Sequence, residues 1–175
     1  MNTWRCYAAS VAFAATKHMI CIFNAAASAR YIRVYRFFGF PTGTFGIFST
    51  LLQLRIARII TSLTPGTTIT PVAHNAGNTS LDANTTSGTG STTTLGNFYR
   101  GMYISTEEIA ITAFDLDNIW CLVPFAELWN AGYGDSNVEP LTCVPATAEG
   151  WSCYSTSALT SSAWDFEIEF TDAAT

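Results

Sequence analysis

Charge is what this sequence lacks most. Only 12% of its 175 residues are Asp, Glu, Lys or Arg, against roughly 25% in ordinary soluble domains. Lys17 is the sole lysine, and no acid occurs before Asp82. With 49% apolar residues, the surface must be largely Thr, Ser, Asn, Ala and aromatic. A free monomer usually carries more charge than this to stay soluble. The composition therefore points to a subunit that buries surface against neighbours. The few basic residues are scattered among aromatics and aliphatics instead of forming a run, so nucleic-acid contact is not expected.

Catalytic signatures are missing too. No HExxH, GxSxG, P-loop or GxGxxG stands in the chain, and there are two histidines, His18 and His74. His74, in "VAHNAGN", would need an orienting acid and a nucleophile to act as a base, and Asp82 and Ser80 are near it only in sequence. A loop residue is the better reading. Glu107, Glu108, Asp115 and Asp117 carry the oxygen ligands calcium takes but lack the EF-hand glycine and closing Glu, so a solvated turn is favoured. The "GDSN" turn of Asp135, Ser136 and Asn137 reads as an Asx-type turn. No enzyme, cofactor or metal is expected.

The five cysteines, Cys6, Cys21, Cys121, Cys143 and Cys153, show no CxxC or Cys/His ligand spacing. Buried reduced thiols are the expected state, with a Cys143–Cys153 link across a hairpin as the alternative. Long apolar runs are absent as well. Lys17 and His18 divide the N-terminal stretch into "YAASVAFAAT" and "MICIFNAAA", each too short to span a bilayer. Residues 1–28 are therefore expected to form an apolar arm or short helix packed on the domain or on a neighbouring subunit, with a single β-sandwich over residues 29–175.

What is present is β pattern. "ARYIRVYRFFGF" and "IFSTLLQLRIARIITSL" show period-2 stretches and β-branched residues closed by turn signals. In the second, Leu51, Leu54, Ile56 and Ile59 also fit helical spacing. Residues 64–97 are rich in Thr, Ser, Gly and Asn and read as one short strand, "TTITPVA", followed by a long exposed excursion. Six short apolar segments follow: "FYRGMYIST", "EIAITAFDL", "NIWCLVPFA", "VEPLTCVPA", "EGWSCYSTS" and "DFEIEFT". A helical turn is expected around Ala126–Trp129. The pattern is that of an all-β, jelly-roll-like sandwich.

The charges are segregated along the chain. Residues 1–81 hold seven basic side chains and no acid, and residues 82–175 hold thirteen acids and one base, Arg100: +7 against −12, which is the net −5. The closing segment alternates Asp165, Glu167 and Glu169 with Phe166, Ile168 and Phe170. Three carboxylates on one strand face repel unless cations lie opposite. The expected partners are the strands bearing Arg33, Arg36, Arg55 and Arg58, with opposite-charge pairs setting register and partner choice more than stability. Trp129 and Trp151 are candidate interface anchors. A sugar-binding platform built from Trp120, Trp129, Trp151, Trp164 and Tyr133 is the less favoured reading. Asn78 and Asn84 begin Asn-x-Ser/Thr sequons in a Thr-rich loop.

Four segments, "STLLQLRIARI", "GTTITPVAHNAGNTSLDANTTSGTG", "WNAGYGDSNVEPLTC" and "DFEIEFT", resemble in order and spacing a group of small structural proteins of tailed bacteriophages. In that group a LQLRR-like strand precedes a "GGTxVTPVKHD" loop, then a "DSNxEPLTL" turn and a final "xxFxEFT" strand. The likeness runs from about Ala29 to Thr171. Ala73 stands where the group often has Lys, and "TCVPATAEG" where it often reads "LREGEG"; residues 1–28 have no counterpart. The resemblance implies a virion component of sandwich or jelly-roll fold, a head decoration, accessory or capsid protein on the head surface, made in the host cytoplasm. Its partners would be copies of itself and other virion proteins, with no small-molecule substrate and no membrane span. An extracellular filament or surface-layer subunit and a receptor- or carbohydrate-binding module are the alternatives.

Overall fold

The computed structural model describes residues 1–42, 51–78, 80–90, 95–105, 126–131, 139–156 and 163–174. Its strands are β1 (Asn2–Ala12), β2 (Lys17–Asn24), β3 (Arg30–Thr42), β4 (Leu51–Ile59), β5 (Thr67–Thr68) and β6 (Val72–Ala73), then β7 (Thr85–Thr89), β8 (Leu95–Ser105), β9 (Ala126–Asn130), β10 (Leu141–Cys143), β11 (Glu149–Ser155) and β12 (Ala163–Ala174). Among the described residues there is no helix. One sheet runs β10-β3-β12-β1-β6, with β9 also pairing β3; the other runs β5-β7-β2-β11-β4-β8. Both are antiparallel, and they stack as a sandwich.

The alternation seen in the sequence explains the core. From the first sheet Trp4, Cys6, Ile32, Val34, Phe166, Ile168 and Phe170 point inward, and from the second Ile20, Ile22, Leu54, Ile56, Trp151 and Cys153 meet them. At one end Phe13 stands edge-on to Trp164, with ring centroids 5.5 Å apart. Gly150 marks the tightest approach within a sheet. A Cβ there would collide with the carbonyl oxygen of Ile22 on the adjacent strand, so only glycine fits.

Three expectations are corrected. Residues 1–28 are neither an arm nor a helix: β1 lies between β12 and β6, and β2 lies between β7 and β11. The physical reason is visible in β1, where Trp4, Cys6 and Ala8 are buried while Arg5 and Tyr7 between them are not. That is strand period, masked by the many alanines around it. Ala126–Trp129 is strand rather than a helical turn, because β3 offers it a ladder (Phe37 opposite Trp129, Phe38 opposite Glu127) that an isolated turn cannot match. "TTITPVA" is split between the sheets, β5 pairing β7 and β6 pairing β1. The excursion after it is partly interior, with Thr85 and Ser87 of β7 buried. The strand reading of β4, rather than the helical one, is what the structure holds. "EIAITAFDL" and most of "NIWCLVPFA" lie outside the described residues.

Candidate functional site

Charge segregation in the sequence becomes charge pairing in the fold. Along both sheets, strands from residues 1–81 alternate with strands from residues 82–175: β10-β3-β12-β1 in one, and β5-β7-β2-β11-β4-β8 throughout the other. Each basic strand thus lies against strands of the acidic half.

On the outer face of the first sheet this decides the fate of the β12 acids. β1 and β3 flank β12, with Glu169 opposite Arg5 on one side and Arg36 on the other, and Glu167 opposite Tyr7 and Phe38. The Arg5 guanidinium donates to Glu167, and Arg36 lies 3.6 Å from Glu169. Asp165 accepts from the Tyr7 hydroxyl and, at 2.7 Å, from the backbone N–H of Ser10. Ser10 has φ 51° at the point where the β1 register shifts, so the bulge aims this amide at the carboxylate. Burial raises the Glu167 pKa and is only partly offset by Arg5. His74 on the neighbouring loop reaches within 4.0 Å of Glu169.

The partners are therefore β3 and β1, not β3 and β4. Arg5, which the reading of the sequence did not single out, occupies the place assigned to Arg55 and Arg58. Arg58 instead binds Glu149 of β11 at 2.5 Å and lies 4.7 Å over the Trp151 ring. Glu149 also accepts from the Val144 N–H at 2.6 Å. Arg55 stacks 4.3 Å over Phe98 and donates to Gln53; Arg33 stacks over Tyr31. Arg30, with its guanidinium 3.6 Å from the buried carboxylate of Asp172, adds a further pair. Trp4 Nε1 donates to the same carboxylate at 2.9 Å.

Trp129 and Trp151 are buried rather than presented, and Trp164 is in the core. The two are bridged by Tyr99, edge-on to both at 5.0 and 6.0 Å. Tyr99, with Phe98 and Ile60, is about half exposed and lines an open groove of about 380 Å³ between Arg58, Asn97 and Trp151. Gly96 belongs to its wall because a Cβ there would come within 2.6 Å of Ile60. No pattern at the sequence level announced this groove. It arises where the β8 register against β4 shifts twice, which leaves the consecutive Phe98 and Tyr99 both exposed.

The remaining candidates are placed as follows. Asp82 is held by Ser28 and Asn84, and the Asn84 amide keeps its carboxyl below the ordinary range; His74 faces Glu169 instead. The sequon side chains are engaged, Asn78 Nδ2 with the Thr3 carbonyl and Asn84 Nδ2 with Asp82. His18 is buried, its Nδ1 2.7 Å from Ser152 Oγ. Cys6, Cys21, Cys143 and Cys153 are free, buried thiols, so the Cys143–Cys153 link is not made. Among the described residues no group of three His, Cys, Asp or Glu side chains converges as a metal site, and no helix is long and apolar enough to cross a membrane. Glu107, Glu108, Asp115, Asp117, Trp120, Cys121, Tyr133, Asp135, Ser136 and Asn137 lie outside the described residues.

No family model matches the chain, and searches of curated proteins and of solved structures return no similar protein.

Proposed function

We propose that this chain is a structural subunit of a bacteriophage virion, a head decoration or accessory protein or a capsid protein of jelly-roll type, acting through many simultaneous subunit contacts. One structural observation supports this reading above the others. Half of the chain's basic residues are consumed inside its own sheets, where Arg5, Arg30, Arg36 and Arg58 all bind carboxylates of the same chain. What is left outward includes half-exposed aromatic and aliphatic side chains. Such a surface suits burial against neighbours, where weak contacts made together add through effective concentration. The order and spacing of the four phage-like segments supply the virion context.

Electron microscopy of the native source material at subunit resolution tests the proposal. Copies on a closed icosahedral shell are the expected result, and their spacing separates shell-forming from shell-decorating roles. An open helical array with no nucleic acid inside would overturn it in favour of a filament subunit.

A further inference from the structure

One rim of the sandwich carries charges of both signs that make no ion pair among the described residues. Tyr99 of β8 packs on Trp129 of β9, and β10 lies against β11 of the opposite sheet. The β8 edge of one sheet and the β9/β10 edge of the other therefore form a single continuous rim. Its β8 side is basic. Among the described residues the exposed Arg100 makes no ion pair, and Arg55 contacts Gln53 and Phe98 without pairing to an acid. Its β9/β10 side carries two exposed acids, with Arg33 stacked on Tyr31 one strand further in. Glu127 and Glu139 are both exposed; among the described residues Glu127 accepts from Asn130, and neither acid pairs with a cation. Between them lie Tyr99, Phe98 and Ile60, 55%, 46% and 47% exposed.

We propose that this rim is a self-complementary interface on which a second copy of the chain docks about a two-fold axis, the Arg55/Arg100 half of one copy on the Glu127/Glu139 half of the other. A two-fold operation uses each half twice, so a patch carrying both signs on either side of an apolar centre satisfies itself. The half-exposed aromatics at the centre are the kind of side chain that anchors such contacts. The inference rests on the subunit reading above, since it names the first contact of that assembly.

The test is sedimentation velocity of the whole chain from about 1 to 100 μM at ~0.15 M salt, where the net charge of each copy is screened beyond roughly 8 Å. The wild type is expected to dimerise. Arg100→Glu sets an acid against the partner's acids in both contacts, and Glu127→Arg with Glu139→Arg makes both base against base. Each variant should weaken the dimer at least about 10-fold, with an unchanged unfolding midpoint because the changed side chains are exposed. Mixed in equal amounts, the two variants should form a heterodimer in which one contact is native and the other sets the Glu at position 100 against the introduced arginines. A wild type that stays monomeric to the highest concentration overturns the proposal and leaves the groove to a partner of different chemistry, a glycan or another virion protein. Variants that dimerise like the wild type, or a mixture that shows no recovery, also overturn it. Imaging of particles is independent of these outcomes: a dimer from a chain found outside any shell would sink the virion reading and leave the interface standing.

Discussion

Lowering the pH from 7 to 4 should destabilise this fold by about 3 kcal/mol through one side chain, His18. The ring is 3% exposed, its Nδ1 lies 2.7 Å from Ser152 Oγ, and Tyr154 stands edge-on to it at 5.1 Å. Among the described residues no carboxylate pairs with it. Burial therefore lowers its pKa from 6.5 to about 4. In the unfolded chain the imidazole takes a proton as the pH falls below about 6.5, and the folded chain refuses one until about 4. Stability from this group is thus fully present above the unfolded value and is lost as the pH falls toward the folded one. The linkage integral gives a loss of about 2 kcal/mol by pH 5 and about 3 by pH 4, a large share of the roughly 5–15 kcal/mol that holds a typical domain. Glu167 works with the opposite sign, because its raised pKa adds stability as the pH falls through its folded value. The clean quantity is therefore the difference between wild type and His18→Gln in urea denaturation across pH 4–7. That difference should shrink toward low pH by about 3 kcal/mol. Parallel pH profiles would refute the reasoning. So would an NMR titration of the native chain placing the His18 midpoint near 6.5, a measurement that stands even where the variant folds poorly.

Four further outcomes are expected. Glu167→Arg with Glu169→Arg sets cations beside Arg5 and Arg36 and should cost at least about 3 kcal/mol in denaturation of the isolated chain; impaired assembly with unchanged folding would show that the pairing is not within the chain. Deleting residues 1–12 removes β1 from the interior of its sheet, so the product should show no cooperative thermal transition by circular dichroism, and a normal melt would be the contrary result. Gly150→Ala forces its Cβ against the Ile22 carbonyl and should lower stability by about 2–4 kcal/mol in urea, a fall under about 0.5 meaning that the strands part easily there. Burial pushes the Cys6 thiol up to about 12 and raises Cys143 and Cys153 as well; mass-spectrometric mapping should find all three unmodified after brief maleimide treatment of the native chain and modified in urea, and prompt native labelling would contradict their burial.

How far the fold was legible depended on how loudly each segment alternates. β12 and β3 set large apolar side chains against charged or aromatic ones at every second position, and both were read as strands. β1 alternates as well, Trp4, Cys6 and Ala8 inward against Arg5 and Tyr7. Alanine and serine, however, fill enough of the following positions that the apolar contrast fades, and the segment read as an arm. β2 hides for the opposite reason. His18 to Asn24 is buried at every position, so no period shows, and a run without period cannot be told from a short helix. β5 and β6, at two residues each, are below any pattern. They exist because neighbouring strands offer ladders, which is tertiary information.

The charge pattern was legible as a question but not as an answer, and the reason is topological. The sequence says that residues 1–81 are basic and residues 82–175 acidic, which demands pairing between the halves; it does not say which strand lies beside which. Assigning β3 and β4 as the partners of β12 treated the two most conspicuous Arg-bearing strands as neighbours, yet β4 belongs to the other sheet. Once the strand orders are known, the segregation follows from a single constraint. If nearly every strand of the first half has second-half strands beside it, then making one half basic and the other acidic sets opposite charges across the ladders that flank β12 and across β4 and β11, while like charges opposite one another, which destabilise a sheet, are kept from those ladders. Residues 1–81 cannot satisfy their own arginines, and residues 82–175 cannot satisfy β12. Neither half would then be stable alone, and the charge pattern favours the interleaved register over any arrangement in which each half pairs with itself.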